Sequence, residues 1–152
     1  LLAALSFKGG FVPVREFLEK DRESLRNVYL VTRRERFDWL KGELLRESDF
    51  DKDTEGERIW VCEDSGQVVG FISVWEPENF IHHLFVLPAY SGLGYGSQLL
   101  KVCMAKIGRP AQLKCVAQNT DAMNFYQSKG WYAVSKGVSS DGGYHLMQAN
   151  ET

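Results

Sequence analysis

The segment from Phe80 to Ile107 constrains this chain most. Phe80-Ile81-His82-His83-Leu84-Phe85-Val86 is rich in β-branched and aromatic residues, and Pro88 ends it. Glycines follow at 92, 94 and 96, and then Leu99, Cys103 and Ile107 recur every fourth residue. That pattern reads as strand, glycine turn and amphipathic helix. The first turn of a helix carries backbone N–H groups with no intrahelical acceptor, and the helix dipole adds partial positive charge there. Glycines let that backbone approach an anion without a Cβ in the way. The stretch Ser91, Gly92, Leu93, Gly94, Tyr95, Gly96 and Ser97 is therefore suited to a phosphate. A Walker loop would need Gly-Lys-Ser/Thr after the glycines. A dinucleotide fingerprint would need G-x-G-x-x-G and an acid about 20 residues further on. The spacing here is G-x-G-x-G, and residues 111–118 contain no acid, so neither nucleotide motif is met. Taken alone, the turn leaves a structural role and a phosphate site both open.

The rest of the chain supplies the frame. Phe11 to Arg15 reads as a short strand. Leu25, Val28 and Tyr29 recur at helical spacing in a helix over 21–30, and a second helix is predicted over 33–46 with Phe37, Leu40 and Leu44 on one face. An acidic stretch from Glu47 to Glu57 reads as a solvated loop. Strands at 58–62 and 68–75 flank Asp64-Ser65-Gly66, a hairpin signal. After the glycine turn come a helix to about Ile107, a strand at 112–116 and a helix capped by Thr120 or Asp121 and closed by Gly130. Strands at 131–135 and 144–148 close the chain. The order is β-α-α-β-β-β-α-β-α-β-β. It predicts an α/β fold of the α+β type, a mixed, largely antiparallel sheet flanked by helices. At 152 residues, with no linker or repeat, the chain reads as one domain over residues 1–152.

Two segments together resemble a known family. Val86-x-Pro88-x-Tyr90-x-Gly92-x-Gly94-x-Gly96-x-x-Leu99-Leu100 is similar to the pyrophosphate-binding motif of the GNAT superfamily of acetyl-CoA-dependent N-acetyltransferases, usually Q/R-x-x-G-x-G/A. Ser91 stands where Gln or Arg is usual, a departure that should weaken the site without abolishing it. Asn119-x-x-Ala122-x-x-Phe125-Tyr126-x-x-x-Gly130-Trp131 resembles the family's second element, with Trp131 in place of Phe. The order of elements agrees along the whole chain, although the first half agrees only as a pattern.

The resemblance implies direct transfer of acetyl from the acetyl-CoA thioester to an amine. The attacking amine must lose a proton, the tetrahedral oxyanion needs a donor, and the departing thiolate needs a proton. Tyr126 corresponds to the general acid, and Phe125 beside it can take the packing role. Asn119 corresponds to a cofactor contact. The oxyanion donor is implied to be a backbone N–H near Phe85 or Val86, on a strand (Leu84, Phe85, Val86) whose open edge would pair with pantetheine. Many members carry a Glu in this strand as base. Here His82 and His83 occupy that stretch, with Glu76 and Glu78 as lesser candidates. Strand alternation puts the two histidines on opposite faces unless a bulge intervenes. Phe37, Trp39 and the acids of residues 47–57 are candidate lining for the acceptor. The alternative is a non-catalytic acetyl-CoA-binding sensor or partner module of the same fold.

Composition excludes other classes. A net charge of −2 leaves no basic surplus for nucleic acid, and no apolar run approaches a membrane span. Leu1 to Leu5 lacks the features of a signal peptide, so a cytoplasmic protein is expected. The three cysteines, Cys62, Cys103 and Cys115, have no metal or disulfide spacing and read as buried thiols, so no metal is expected. The expected partner is a small-molecule or peptide amine, and a homodimer is compatible with the resemblance.

Overall fold

Strand β2 (Arg58–Asp64) alternates Ile59 and Val61 with Trp60 and Cys62, and all four are buried in two separate apolar clusters. A strand that buries both faces must lie inside a sheet covered on both sides. The computed structural model, which describes residues 14–150, has that layering. Ile59 and Val61 pack with Leu25, Val28, Tyr29, Phe50 and Phe71 under helices α1 (Arg22–Arg36) and α2 (Asp49–Asp53). Trp60 and Cys62 pack with Tyr95, Leu99, Cys103 and Tyr126 under helices α3 (Tyr95–Met104) and α4 (Thr120–Ser128). Burying each large apolar side chain contributes about 1.5–3 kcal/mol, so the two cores hold the helices against the sheet.

The other strands are β1 (Val14–Glu16), β3 (Gln67–Trp75), β4 (Phe80–Val86), β5 (Ala111–Val116), β6 (Tyr132–Ser139) and β7 (Gly142–Ala149). Their spatial order is β1-β2-β3-β4-β5-β7-β6, and every neighbouring pair is antiparallel except β4–β5. The predicted mixed, largely antiparallel sheet and the predicted order of elements are both present. The first three residues of the strand read at 11–15, the segment Leu1–Leu5 and the last two residues lie outside the described residues.

The parallel pair positions the site. β4 and β5 touch only at Phe80↔Gln112 and Ile81↔Leu113. Beyond that point β5 follows β7 in unbroken register from Ala111 to Val116, while β4 stays with β3 as far as Val86. The two strands therefore diverge, and among the described residues the β5-facing edge of β4 beyond Ile81 has no ladder partner.

One helix differs from the sequence reading. Residues 22–36 form a single 15-residue helix, and the second helix predicted over 33–46 does not form. Instead the chain turns at Phe37, makes a short 3₁₀ turn at Gly42–Leu44, and forms its second helix at Asp49–Asp53. The rings of Phe37 and Trp39 explain the break. They stack at 4.8 Å, which residues two apart on a helix, about 200° around the axis, cannot do. Phe37 also meets Phe85 edge-on at 5.5 Å. All three cysteines are buried, and burial pushes their thiols up to about 12, 12 and 11. Among the described residues no helix is long and apolar enough to cross a membrane.

Candidate active site

The divergence of β4 from β5 opens a cavity of about 430 Å³. Leu84 and Phe85 line one wall, Lys114 to Val116 the other, and Asn119, Ala122 and Tyr126 come from the α4 side. Tyr29, Phe37, Trp39, Asp53, His82 and His83 close the opposite end. The sheet's one parallel junction thus brings Tyr126, the histidines and the aromatic arm after α1 into one space.

The predicted phosphate turn, Ser91 to Ser97, is not part of this cavity's lining; it follows the end of β4 and leads into α3. Gly92 and Gly94 hold φ of +75° and +93°, and a Cβ at either would meet nothing within 4 Å. Positive φ is the requirement here; crowding is not. Gly94 is the residue before α3, and the first helical bond runs from Gln98 N–H to Gly94 O at 3.1 Å. The amides of Gly96 and Ser97 therefore precede the helical ladder, at the positive end of the dipole. The Tyr95 side chain does not face this space: it is buried, and its hydroxyl donates to Asp64 Oδ2 at 2.7 Å. Leu93 is exposed. Ser91 Oγ donates to Pro88 O at 2.8 Å and accepts from Arg36 Nη2 at 2.9 Å.

On β4, Leu87 N–H bonds to Val69 O on β3 at 2.9 Å. Antiparallel alternation then turns the Phe85 amide toward β3 and the Leu84 and Val86 amides toward the opening. Of the two amides named in the sequence reading, Val86 is the one that points outward.

The histidines depart from simple alternation. Ser73 faces His83 and Val74 faces Ile81, which leaves His82 as an extra residue in a β-bulge. The bulge brings both rings to one side, 3.9 Å apart, and both line the cavity. Their surroundings differ. His83 is buried: its Nδ1 lies 2.9 Å from Ser73 Oγ and its Nε2 lies 3.2 Å from Tyr29 Oη. Tyr29 donates its one proton to Asp53 Oδ2 at 2.8 Å, so His83 Nε2 must donate to Tyr29 and Nδ1 is left as an acceptor. Burial also lowers the pKa of His83, which favours the neutral ring. His82 is 44% exposed, and its Nδ1 sits 2.5 Å from Glu57 Oε2. An ionised carboxylate only accepts, so Nδ1 carries a proton, and in the neutral ring Nε2 is the basic nitrogen.

Glu57 is the residue that sequence reasoning missed. Its side chain is 7% exposed, and it lies two residues before Ile59, whose row across the sheet runs through Ser73 to His83. Period-two alternation therefore aims Glu57 at the histidines. Burial alone would raise its carboxyl, but the hydrogen bond from His82 and the charge that the two histidines carry once protonated in acid outweigh burial and hold it at about 2. Of the other acids of this stretch, Glu47 and Glu55 are exposed, as the solvated reading expects, but the three aspartates are paired. Asp51 binds Arg22 at 2.8 Å and Arg26 at 2.9 Å, Asp49 binds Arg33 at 3.2 Å, and Asp53 takes the Tyr29 hydroxyl. No local pattern marks Glu57, because its partners come from a strand 25 residues away. Glu57, His82 and His83 offer ligand atoms that all lie within 4.8 Å of one another, a set that could hold a divalent ion such as zinc.

The remaining sequence candidates divide. Tyr126 lines the cavity with 8% of its surface exposed, and burial raises its phenol far above the ordinary range. It meets the Trp131 ring edge-on at 5.9 Å. Phe125 does not line the cavity; it packs beside Gly96, near the head of α3. Asn119 lines the cavity and is itself the cap of α4, accepting from Ala122 N–H at 3.1 Å; neither Thr120 nor Asp121 is the cap. Glu76 pairs with Arg58 at 3.1 Å, and neither Glu76 nor Glu78 lines the cavity.

Comparison with known proteins agrees with this geometry. A family model described as an acetyltransferase (GNAT) domain matches residues 55–133. The peptidyl-lysine N-acetyltransferase YiaC of Escherichia coli (strain K12) is 32% identical over 75 residues, 49% of this chain and 50% of that protein. The match thus spans about half the length of that curated relative. Among solved structures, a GCN5-related N-acetyltransferase from Rhodopseudomonas palustris superposes with a TM-score of 0.74 at 18% identity, covering 92% of this chain and 96% of that one. YncA from Salmonella typhimurium, solved with its cofactor acetyl-CoA, gives 0.69 at 17% identity, covering 91% and 93%. At these identities the structures speak for the fold.

Proposed function

The chain belongs to the GNAT acetyltransferase family, and from that premise we propose that it is one catalytic domain moving acetyl from acetyl-CoA to a small-molecule or peptide amine. The observation that carries this reading is that His82, which lines the β4–β5 opening, is held through Nδ1 by the buried carboxylate of Glu57. A module that only held the cofactor would need no buried carboxylate orienting an exposed imidazole.

The glycine turn and the β4–β5 opening together suit acetyl-CoA on their own terms. The open space over Gly92 and Gly94 and the early amides of α3 suit a diphosphate, and the unpaired edge of β4 suits an amide-bearing arm. The residues then have these roles. Glu57 holds Nδ1–H of His82, and Nε2 accepts the proton of the incoming ammonium, directly or through a water. The neutral amine attacks the thioester carbonyl, and a C–N bond forms. The carbonyl oxygen becomes an oxyanion that the Val86 or Leu84 amide stabilises. The C–S bond then breaks. The thiolate takes the Tyr126 phenolic proton, which burial keeps on the ring at neutral pH, and the second proton that the nitrogen sheds as the amide forms replaces it on the phenolate, so Tyr126 ends as it began. His83, neutral and held at both nitrogens, positions this corner and does not turn over a proton. No step calls for a metal, so a chelator is expected to leave the rate unchanged.

Two measurements test the reading. Acetyl-CoA at about 100 times its dissociation constant should stabilise the fold by about 2.7 kcal/mol, roughly 5–10 °C in Tm. Release of CoA thiol with a panel of amines should exceed the rate without protein. A Tm shift without turnover on any amine would favour the binding-module reading, and no shift at all would remove both.

A further inference from the structure

We infer that Arg36, the last residue of α1, supplies the cationic contact to the cofactor's diphosphate that the glycine turn itself lacks. The inference rests on the acetyl-CoA reading above. Its starting point is Ser91, which leaves the turn without the Gln or Arg side chain usual at that position. In the fold a guanidinium reaches this corner from elsewhere in the chain. Arg36 Nη2 donates to Ser91 Oγ at 2.9 Å and lies 3.5 Å from Pro88 O. The Ser91 proton is committed to Pro88 O, so Ser91 serves Arg36 purely as an acceptor, a clip that holds the side chain over the turn.

Arg36 also differs from its neighbours on α1. Arg22, Arg26 and Arg33 are each neutralised by Asp49, Asp51 or Glu19, and Arg34 donates to the Leu45 carbonyl oxygen instead of the glycine turn. Among the described residues no carboxylate lies within 4.0 Å of Arg36, and none accepts from its Nε or Nη1. It is an exposed cation without a counter-ion, hydrogen-bonded to the loop that leads into the amides of Gly96 and Ser97. A fork of donors in that place matches the bidentate geometry of phosphate oxygens. The phosphate mount is thereby split between two layers of the fold, α1 on one face of the sheet and the β4–α3 turn at its end.

That split has a mechanistic consequence. The chain continues from Arg36 directly into Phe37 and Trp39, which line the acceptor end of the cavity. A diphosphate that engages Arg36 tethers the root of this arm, so cofactor binding sets the acceptor wall before the amine arrives.

The test is the affinity of acetyl-CoA by calorimetry for wild type, Arg36→Ala, Arg34→Ala and the double variant Arg36→Ala/Ser91→Arg. Arg36 is exposed, so its removal should leave the Tm without ligand unchanged. Arg36→Ala should weaken acetyl-CoA about tenfold, the scale of one charged hydrogen bond near the surface. Arg34→Ala, which removes a cation two residues back whose guanidinium bonds Leu45 O, should bind like wild type. Ser91→Arg should restore most of the loss by returning the guanidinium to its usual place. Dephospho-CoA should show the same tenfold loss in Arg36→Ala. If the loss vanishes with dephospho-CoA, the residue reads the 3′-phosphate and the diphosphate assignment is overturned. If wild type binds acetyl-CoA and Arg36→Ala binds equally well, the inference fails while the function stands; if wild type does not bind, the function fails first.

Discussion

Replacing Glu57 by Gln separates the catalytic account from a purely structural one. The substitution keeps the shape and removes the charge. In wild type the carboxylate is almost out of water, with 7% of its side chain exposed, and 2.5 Å from a ring that is 44% exposed. A charged hydrogen bond of this kind is worth about 1.5–3 kcal/mol, and it is strongest when His82 carries the amine's proton in the transition state. Losing it should lower kcat about 10- to 100-fold. Acetyl-CoA affinity should change little, because Glu57 does not touch the glycine turn or the β4 edge. Thiol release with saturating cofactor measures the first quantity and calorimetry the second. Stability gives an independent check. Burial opposes the ionised carboxyl, but the histidines hold it at about 2 against an ordinary 4.5. Because the folded value lies below the unfolded one, the stabilisation is complete above about pH 4.5 and is lost as the pH falls toward 2. Wild type should therefore lose stability across that acid window, and Glu57→Gln should lose less. A Glu57→Gln enzyme that turns over like wild type would refute the orienting role. So would one whose activity falls only in step with its fold and its cofactor affinity.

Other outcomes follow from the same geometry. Tyr126→Phe should lower kcat with acetyl-CoA affinity nearly unchanged, since only the proton donor is removed; a variant as fast as wild type would take Tyr126 out of the mechanism. His82→Ala should cost about 10²–10⁴ in kcat/KM and abolish the acid limb of the pH–rate profile. His83→Ala should keep that limb and instead lower the Tm, because it strips partners from Ser73 and Tyr29 inside the core. Gly94→Ala should weaken acetyl-CoA and destabilise the fold by about 1 kcal/mol, since its φ of +93° disfavours any Cβ.

The sequence by itself determined the order of elements, the glycine turn, the buried cysteines and the two motifs that mark the family. These are local properties: period-two and period-3.6 patterns, glycines where φ is positive, and residue types at short fixed spacing. Tyr126 and the turn were legible for that reason. Only the tertiary structure decided the rest. A bulge opposite Ser73 put His82 and His83 on one side, contrary to simple alternation. Sheet register carried Glu57 to His82, across 25 residues of chain. The stacked pair Phe37 and Trp39 ended the first helix at Arg36, where periodicity had placed a second helix over 33–46, and that end delivered Arg36 to Ser91, 55 residues away. A linear pattern has no reach over such distances. Contacts between layers are set by how the two cores pack, and packing is a property of the whole fold.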